Sequence, residues 1–379
     1  MSTHRHFLSN CEAAPAARPQ STSSYFSFAN KWSTVVLLIS GLVAIGAFIW
    51  WLNIPFIEDI FTSSAITLTM VLGFQLYMGN SGILNWSYIG YAGIGAFASA
   101  IFSMEPAVKT MQIPTMYPFL IKLHLPFSLA LIAGALTAMA VAALVAWPLM
   151  RLSDSVGAIT QFALLIVFNV VLSQWSQVTN GPRTFTLGGL RYTTLWVALG
   201  VASVVLAAVF YFKESPVGLK LRATRDDRHA ARSSGINLVS TRYIGYITSA
   251  FIGGLAGGLF SHYILSITAA SFYLHDLFVI LSMLVIGGSM SVSGAFFGTL
   301  LVTLARQGLR QVELGLTRSG FEASGATEIV LAILMIVFLI WRPNGITGGE
   351  ELTWNSIRRR LKSFTDRKKQ SAKSQQQED

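Results

Sequence analysis

The chain has 379 residues, 53% of them hydrophobic and only 12% charged, about half the charge of soluble domains, and at about 20 apolar residues per crossing it holds material for roughly eight to ten membrane-spanning helices. One cysteine, Cys11, leaves no intrachain disulfide and no thiolate zinc site, and long continuous apolar runs without inside/outside alternation make helices, not a barrel, the spanning element. The net charge of +10 is concentrated, with seven basic residues between Lys213 and Arg242 and nine from Arg342 onward, the pattern of loops on the inside of a membrane and not of a nucleic-acid surface.

In chain order, residues 1–32 are polar, with Pro15, Pro19 and the run Ser21 to Ser24, and predict a disordered cytoplasmic tail. The apolar run from Ser33 to Leu52 ends in Trp50-Trp51 without a small-residue cleavage site. It predicts a retained anchor with interfacial tryptophans, not a secretory signal. Further spans are predicted at 60–79, 86–104, 126–149, 156–175, 195–212 and 243–266. The stretch from Phe272 to Met290 is broken by Gly287-Gly288, a second apolar run follows from Gly294 to Leu309, and a last span lies at 327–341.

Charge tests this count. With ten spans and an inside amino terminus, the inside segments hold 20 Lys+Arg and the outside segments 7. If residues 272–309 made a single crossing, giving nine spans, the tail with nine basic residues would lie outside, against the positive-inside rule. The predicted fold is therefore an all-α polytopic membrane protein with about ten transmembrane helices. Its parts are the tail 1–32, a transmembrane domain 33–341 carrying a cytoplasmic loop at 213–242, and a basic cytoplasmic tail 342–379.

Ionisable groups are missing from the middle of the predicted spans, and Asp276 and Glu328 sit near span ends. Ion-coupled carriers usually place such groups along the pathway, which disfavours that class. The polar residues within spans are uncharged: Gln75, Asn80, Asn85, Gln161, Asn169 and Gln174. They either line a path for a polar or zwitterionic solute or bond between helices. Gln75, Asn80 and Asn85 crowd with Gly82 and Ser87 into one glycine-rich turn, Gly79 to Ser87. Non-helical backbone at that depth is tolerated where protein or a water-filled cavity surrounds it, so these five are the candidate substrate-pathway residues.

The stretch Gly93 to Ala98 fits a dinucleotide fingerprint by spacing, but no strand precedes it. Gly253, Gly254, Gly257 and Gly258 make two overlapping GxxxG spacings and predict close helix packing. A third glycine cluster, Gly287 to Gly294, joins two short crossings. No catalytic constellation emerges: His4, His6, His124, His229, His262 and His275 are scattered, and HExxH, GxSxG and phosphate-loop motifs are absent. No catalytic and no metal-ligating residue is predicted, and ATP, if used, binds to another chain.

In the basic loop, Thr224 followed by Asp227 suggests a helix start, with Asp226 and Asp227 in the first turn and Gly235 at the stop. The expected helix is about ten residues, roughly 15 Å. On it Arg225, Arg228 and Arg232 share one face and Ala230, Ala231 and Gly235 form a small-residue patch suited to close docking. The plainer alternative is a solvated positive loop.

The segment Leu221 to Asp227, with Ala230, Ala231, Arg232 and Gly235-Ile236-Asn237, resembles the cytoplasmic coupling motif of permease subunits of branched-chain amino acid ABC importers. The resemblance extends over Gly79 to Asn85, Gly93 to Ala96, Ser249-Ala250-Phe251 with Gly254 to Gly257, Gly287-Gly288 with Gly294, and Arg342-Pro343 with Gly345. It covers about residues 60–350, in order. It implies a permease of the inner (plasma) membrane, both termini cytoplasmic, moving branched-chain or related amino acids. The implied partners are a second permease subunit, two cytoplasmic ATPase subunits and an extracytoplasmic substrate-binding protein. This chain then binds no cofactor, ATP being used by its partners, and Arg225 to Arg228, Ala230 to Arg232 and Gly235 form the ATPase-coupling site. Two departures stand out: Asp226-Asp227-Arg228 where relatives more often carry glutamates, and Asn85-Trp86-Ser87-Tyr88 where many carry a Ser-Leu-Gly-His type stretch. Urea and short-amide importers resemble the family closely, and the sequence does not separate them.

Overall fold

The computed structural model describes residues 24–189, 191–318, 325–342, 345–348 and 351. The expected amino-terminal tail up to residue 23, Cys11, His4, His6, Pro343 and almost all of the carboxyl tail lie outside the described residues. The chain divides into two units: Val35–Leu352, which holds everything discussed below, and the termini Met1–Thr34 with Thr353–Asp379, whose described part is the start of the first helix.

The helices in chain order are α1 (Ser24–Leu52), α2 (Pro55–Ser81), α3 (Tyr88–Ser103), α4 (Pro106–Gln112), α5 (Pro118–Lys122), α6 (Phe127–Leu149), α7 (Asp154–Gln174), α8 (Ser176–Thr179), α9 (Leu195–Glu214), α10 (Pro216–Asp226), α11 (Arg228–Ser233), α12 (Leu238–Ile264), α13 (Leu274–Gly287), α14 (Val292–Arg318) and α15 (Ala326–Trp341). Two short strands, β1 (Phe185–Thr186) and β2 (Ser266–Ile267), pair antiparallel, Phe185 opposite Ile267. Proline sets several of the starts: Pro55, Pro106, Pro118 and Pro216 each stand in a first helical turn, where the missing N–H costs nothing and the fixed φ is already helical.

Each predicted span falls on a helix. Among the described residues seven helical segments are able to cross a membrane by length and composition, the shorter apolar segments Tyr88–Ser103 and Ile329–Phe338 add to them, and α14, which carries the predicted run from Gly294 to Leu309, is not one of these. The protein is an all-α polytopic membrane protein. α2 and α12 lie mostly inside the bundle, whereas α1 and α7 turn most of their surface outward.

The centre is built by close backbone approach. α12 packs on α3, α6 and α2, and α3 packs on α6. On α6 the residues Ala135, Ala138, Ala142 and Ala146 are fully buried at three- and four-residue spacing, a stripe one methyl thick. On α12, Gly257 lies against the Ala92 carbonyl of α3, Gly258 faces Leu131 and Ser99, Gly253 lies under the Tyr88 ring, and a Cβ on Gly254 would come within 2.6 Å of the Ala138 methyl. Lipid provides no hydrophobic drive between helices, so small residues that admit dispersion contact hold them.

Contacts sort the connections into two ends. At one end Arg191 pairs with Asp59 at 2.8 Å and stacks on the Tyr263 ring at 3.9 Å, and the Leu187 amide donates to the Leu265 carbonyl at 2.8 Å. At the other end the turn after α2, the 213–242 segment, the 288–291 turn, residues 345–348 and Glu351 come together. Residues 345–348 and Glu351 thus share an end with the basic loop. That placement has α13 run toward this end, α14 away from it and α15 back to it.

Candidate functional site

The turn between α2 and α3 begins at Gly82, whose φ of 71° closes α2 while its N–H donates to the Met78 carbonyl at 2.9 Å. A side chain there would be strained by the backbone and would also meet the Arg225 Cγ at 2.7 Å. Of the predicted pathway residues, Gln75, Asn80, Asn85 and Ser87 are buried and Gly82 is exposed. Asn80 Nδ2 donates to the Leu76 carbonyl of its own helix at 2.7 Å, and Gln75 Nε2 reaches the Ser289 carbonyl at 3.5 Å. Of the other span amides, Asn169 bonds to the Ala269 carbonyl at 3.1 Å, Gln161 is buried and Gln174 is exposed.

Ser87 and Asn85 enter a directional chain of hydroxyls. Ser87 donates its one proton to Asn85 Oδ1 at 2.9 Å. The Tyr246 hydroxyl, 2.6 Å from Ser87 Oγ, must then donate to it, and Tyr91, 3.1 Å away, donates to Tyr246. Tyr77 and Tyr91 each set their rings edge-on to Tyr246, with centroids 5.3 and 5.7 Å away. The chain ends on an amide with unused capacity, because Asn85 Nδ2 and Gln75 Oε1 are buried without a hydrogen-bond partner. Such groups are costly at rest.

The 213–242 segment differs from its expected form. It contains two helices, not one starting at Thr224. The first starts at Ser215-Pro216, where Ser215 Oγ accepts from the Gly218 amide at 3.2 Å, a standard cap with proline following. Thr224 sits inside α10, buried, its hydroxyl on the Leu221 carbonyl at 2.7 Å. The cap of α11 is Asp227, whose carboxylate accepts from His229 N at 2.7 Å and Ala230 N at 3.1 Å. Those two amides hold its pKa below the usual aspartate range. Arg225 therefore belongs to a different helix from Arg228 and Arg232, and the three do not share one helical face.

On α11, Arg228, Ala230 and Arg232 are exposed while Ala231 turns inward. Gly235 ends it at φ 77°, with Gly235 N donating to the Arg232 carbonyl at 2.9 Å and Ile236 N to the Ala231 carbonyl at 3.1 Å, the two bonds of a Schellman stop. No atom lies within 4 Å of the place a Cβ would take, so backbone conformation alone asks for glycine there.

Sequence reasoning missed one cluster beside this segment. Lys213, at the end of α9, pairs with Glu351 and donates to the Met290 carbonyl at 2.7 Å. Glu351 accepts from the amides of Val292 at 2.8 Å and Ser293 at 3.2 Å, capping α14. Thr347 joins the same knot through Ser291 Oγ at 2.7 Å and the Gly287 carbonyl at 3.1 Å. Among the described residues no three His, Cys, Asp or Glu side chains gather to hold a metal ion.

A bundle whose glycine-broken turns are gripped by a basic two-helix segment suits a machine moved from that end. A family model described as the permease component of branched-chain amino acid transport systems matches residues 56–340. The chain belongs to this permease family. It is 24% identical over 330 residues to the high-affinity branched-chain amino acid transport system permease protein LivM of Escherichia coli (strain K12), covering 77% of this chain and 71% of the relative. It is 23% identical over 323 residues to the probable branched-chain amino acid transport permease protein LivH of Methanocaldococcus jannaschii, covering 80% and 95%. The guanosine ABC transporter permease protein NupQ of Bacillus subtilis is 27% identical over 205 residues, covering 49% and 60%. No solved structure matches the chain. The family match makes the chain an ABC permease and not itself an enzyme, so this permease does its work through helices and turns.

Proposed function

We infer that this permease is one transmembrane subunit of an ABC importer that moves branched-chain or related amino acids across the inner membrane. The observation that carries the reading is the family match over residues 56–340, which takes in both glycine turns and the basic segment between α9 and α12. ATP is bound by two cytoplasmic ATPase subunits, and α11 is their docking element, offering Arg228, Ala230 and Arg232 outward. A second permease subunit completes the path, and a binding protein outside the membrane delivers substrate. The turn from Gly79 to Ser87 borders that path. Both termini lie in the cytoplasm, on the side of the basic loop. Uncharged polar groups along the spans fit a zwitterion that is passed on without being held tightly.

The test is uptake by proteoliposomes holding this permease with the ATPases that copurify with it from native membranes. Labelled leucine, isoleucine, valine, urea and guanosine are offered with the cognate binding protein. ATP-dependent uptake of the aliphatic amino acids supports the reading. Uptake of urea or guanosine alone replaces the substrate class, and uptake driven by a sodium gradient without ATPases overturns the importer. Topology reporters are expected to read inside at Ser371 and outside after Lys109.

A further inference from the structure

Arg225 leaves α10 and crosses to the last turn of α2, where Nη1 donates to the Gly79 carbonyl at 2.9 Å. That carbonyl is among the four at a helix end without an intrahelical donor, at the end where the dipole favours a cation. The Arg225 methylenes cover Gly82, and Nε and Nη2 hold Asp226 Oδ1 at 3.1 and 3.0 Å, fixing the guanidinium. Gly79 lies so close under the Ser289 carbonyl that a Cβ would not fit. At the start of the same segment Lys213 grips the second turn through the Met290 carbonyl and Glu351.

Two cations of one segment therefore hold the two turns at this end of the bundle. α10 and α11 are separated by Asp227 alone, in extended backbone at φ −153°, so a displacement of α11 reaches Arg225 through Asp227 and Asp226. We propose that Arg225 is a positioning residue that transmits movement of α11 to the Gly79–Ser87 turn, with Lys213 doing the same for the 288–293 turn, and that neither belongs to the ATPase-docking face. The proposal rests on α11 as the docking element.

The test uses the complete transporter with its ATPases. Arg225→Met keeps the methylenes over Gly82 and removes only the donor, and Arg225→Lys restores a cation able to reach the Gly79 carbonyl. Arg225→Met is expected to retain the ATPases at the normal ratio and to lose at least tenfold in the stimulation of ATP hydrolysis by loaded binding protein, with Arg225→Lys recovering most of it. In a Cys11→Ser background, maleimide labelling of Leu84→Cys is expected to change on vanadate trapping with Arg225 present and not with Arg225→Met. Full stimulation with Arg225→Met, or loss of the ATPases from it, overturns the proposal. A misfolded Arg225→Met leaves the decision to Arg225→Lys, where an unchanged response of Leu84→Cys labelling supports the strut and a lost one overturns it. Retention of ATPases by Arg228→Glu with Arg232→Glu instead removes the docking reading, whatever Arg225 does.

Discussion

The hydroxyls of Ser87 and Tyr246 lie 2.6 Å apart although the residues are 159 positions apart in the chain. Through this pair the turn before α3 is tied to the middle of the long buried helix α12. The bond direction is fixed by neighbours, since Ser87 spends its proton on Asn85 and Tyr246 receives one from Tyr91. A shift of α12 or of the turn breaks one link and frees hydroxyls around Asn85, whose Nδ2 is already unpartnered.

Tyr246→Phe removes the middle member of that chain and leaves the Tyr91 proton without its acceptor. A buried group stripped of its partner costs about 1–3 kcal/mol, so the variant is expected to unfold earlier on heating in detergent. Ser87→Ala added to it is expected to cost less than the two changes summed, because the second removes a group already deprived of its donor. Strict additivity would show that the two hydroxyls do not interact.

Asn85→Leu separates transport from packing at the turn better than any change at Gly82, where a side chain is strained by a φ of 71° and by Arg225. The substitution removes the acceptor for Ser87 and both amide groups without asking for a new backbone conformation. Uptake is expected to fall severalfold with the affinity of the isolated binding protein unchanged. Undiminished uptake would return Asn85 to a packing role.

The long apolar spans are legible in the sequence because lipid demands continuous helical segments, and Gly235 is legible because a helix stop of that kind asks for positive φ. The start of the loop helix misleads for a definite reason. Thr224 and Asp227 have the spacing of a cap, but Ser215-Pro216 is a start signal that opens nine residues before Thr224, and a helix begun there runs through Thr224 before Asp227 caps the next. Arg225 is read as a docking residue because helical spacing reports faces within one helix, not a break between two. The Lys213–Glu351 pair has no local signature, because 138 residues separate the partners. The alanine stripe of α6 is visible in the sequence but is passed over beside the glycine clusters.

Glu351→Gln tests that pair. Burial raises the Glu351 pKa, but the Lys213 charge and hydrogen bond and the amides of Val292 and Ser293 outweigh it and leave the carboxyl below the usual glutamate range. Its contribution is therefore fully present above the ordinary glutamate pKa of about 4.3 and is lost as pH falls through the depressed value, so stability is expected to be flat from neutrality down to mildly acid pH. Glu351→Gln leaves Lys213, buried at 5% exposure, without its counter-charge, a loss on the order of 3 kcal/mol. Lys213→Met combined with Glu351→Gln is expected to recover part of the thermal stability lost by Glu351→Gln alone, and a further loss would contradict the pairing.

α11 is open to direct test, because Arg228 and Arg232 are exposed on a short helix outside the long spans. Arg228 and Arg232 stand outward at four-residue spacing on α11, so Arg228→Glu with Arg232→Glu reverses two charges on one short surface, and at Arg228 it also replaces repulsion from Arg242 by attraction. Such a reversal slows association and weakens binding most at low salt. Asp227→Asn keeps an acceptor at the cap and is expected to bind ATPase normally, whereas Asp227→Ala uncaps α11 and is expected to speed hydrogen exchange at His229 and Ala230. Gly235→Pro is the most damaging change, because proline holds φ near −65° where 77° is needed and deletes the N–H given to the Arg232 carbonyl. The charge reversal and Gly235→Pro are each expected to reach the membrane in normal amount yet lose ATPase copurification and uptake together. Normal copurification in the charge reversal would move the docking site elsewhere, with the 288–293 turn next, since it lies at the same end and is already linked to the loop through Lys213.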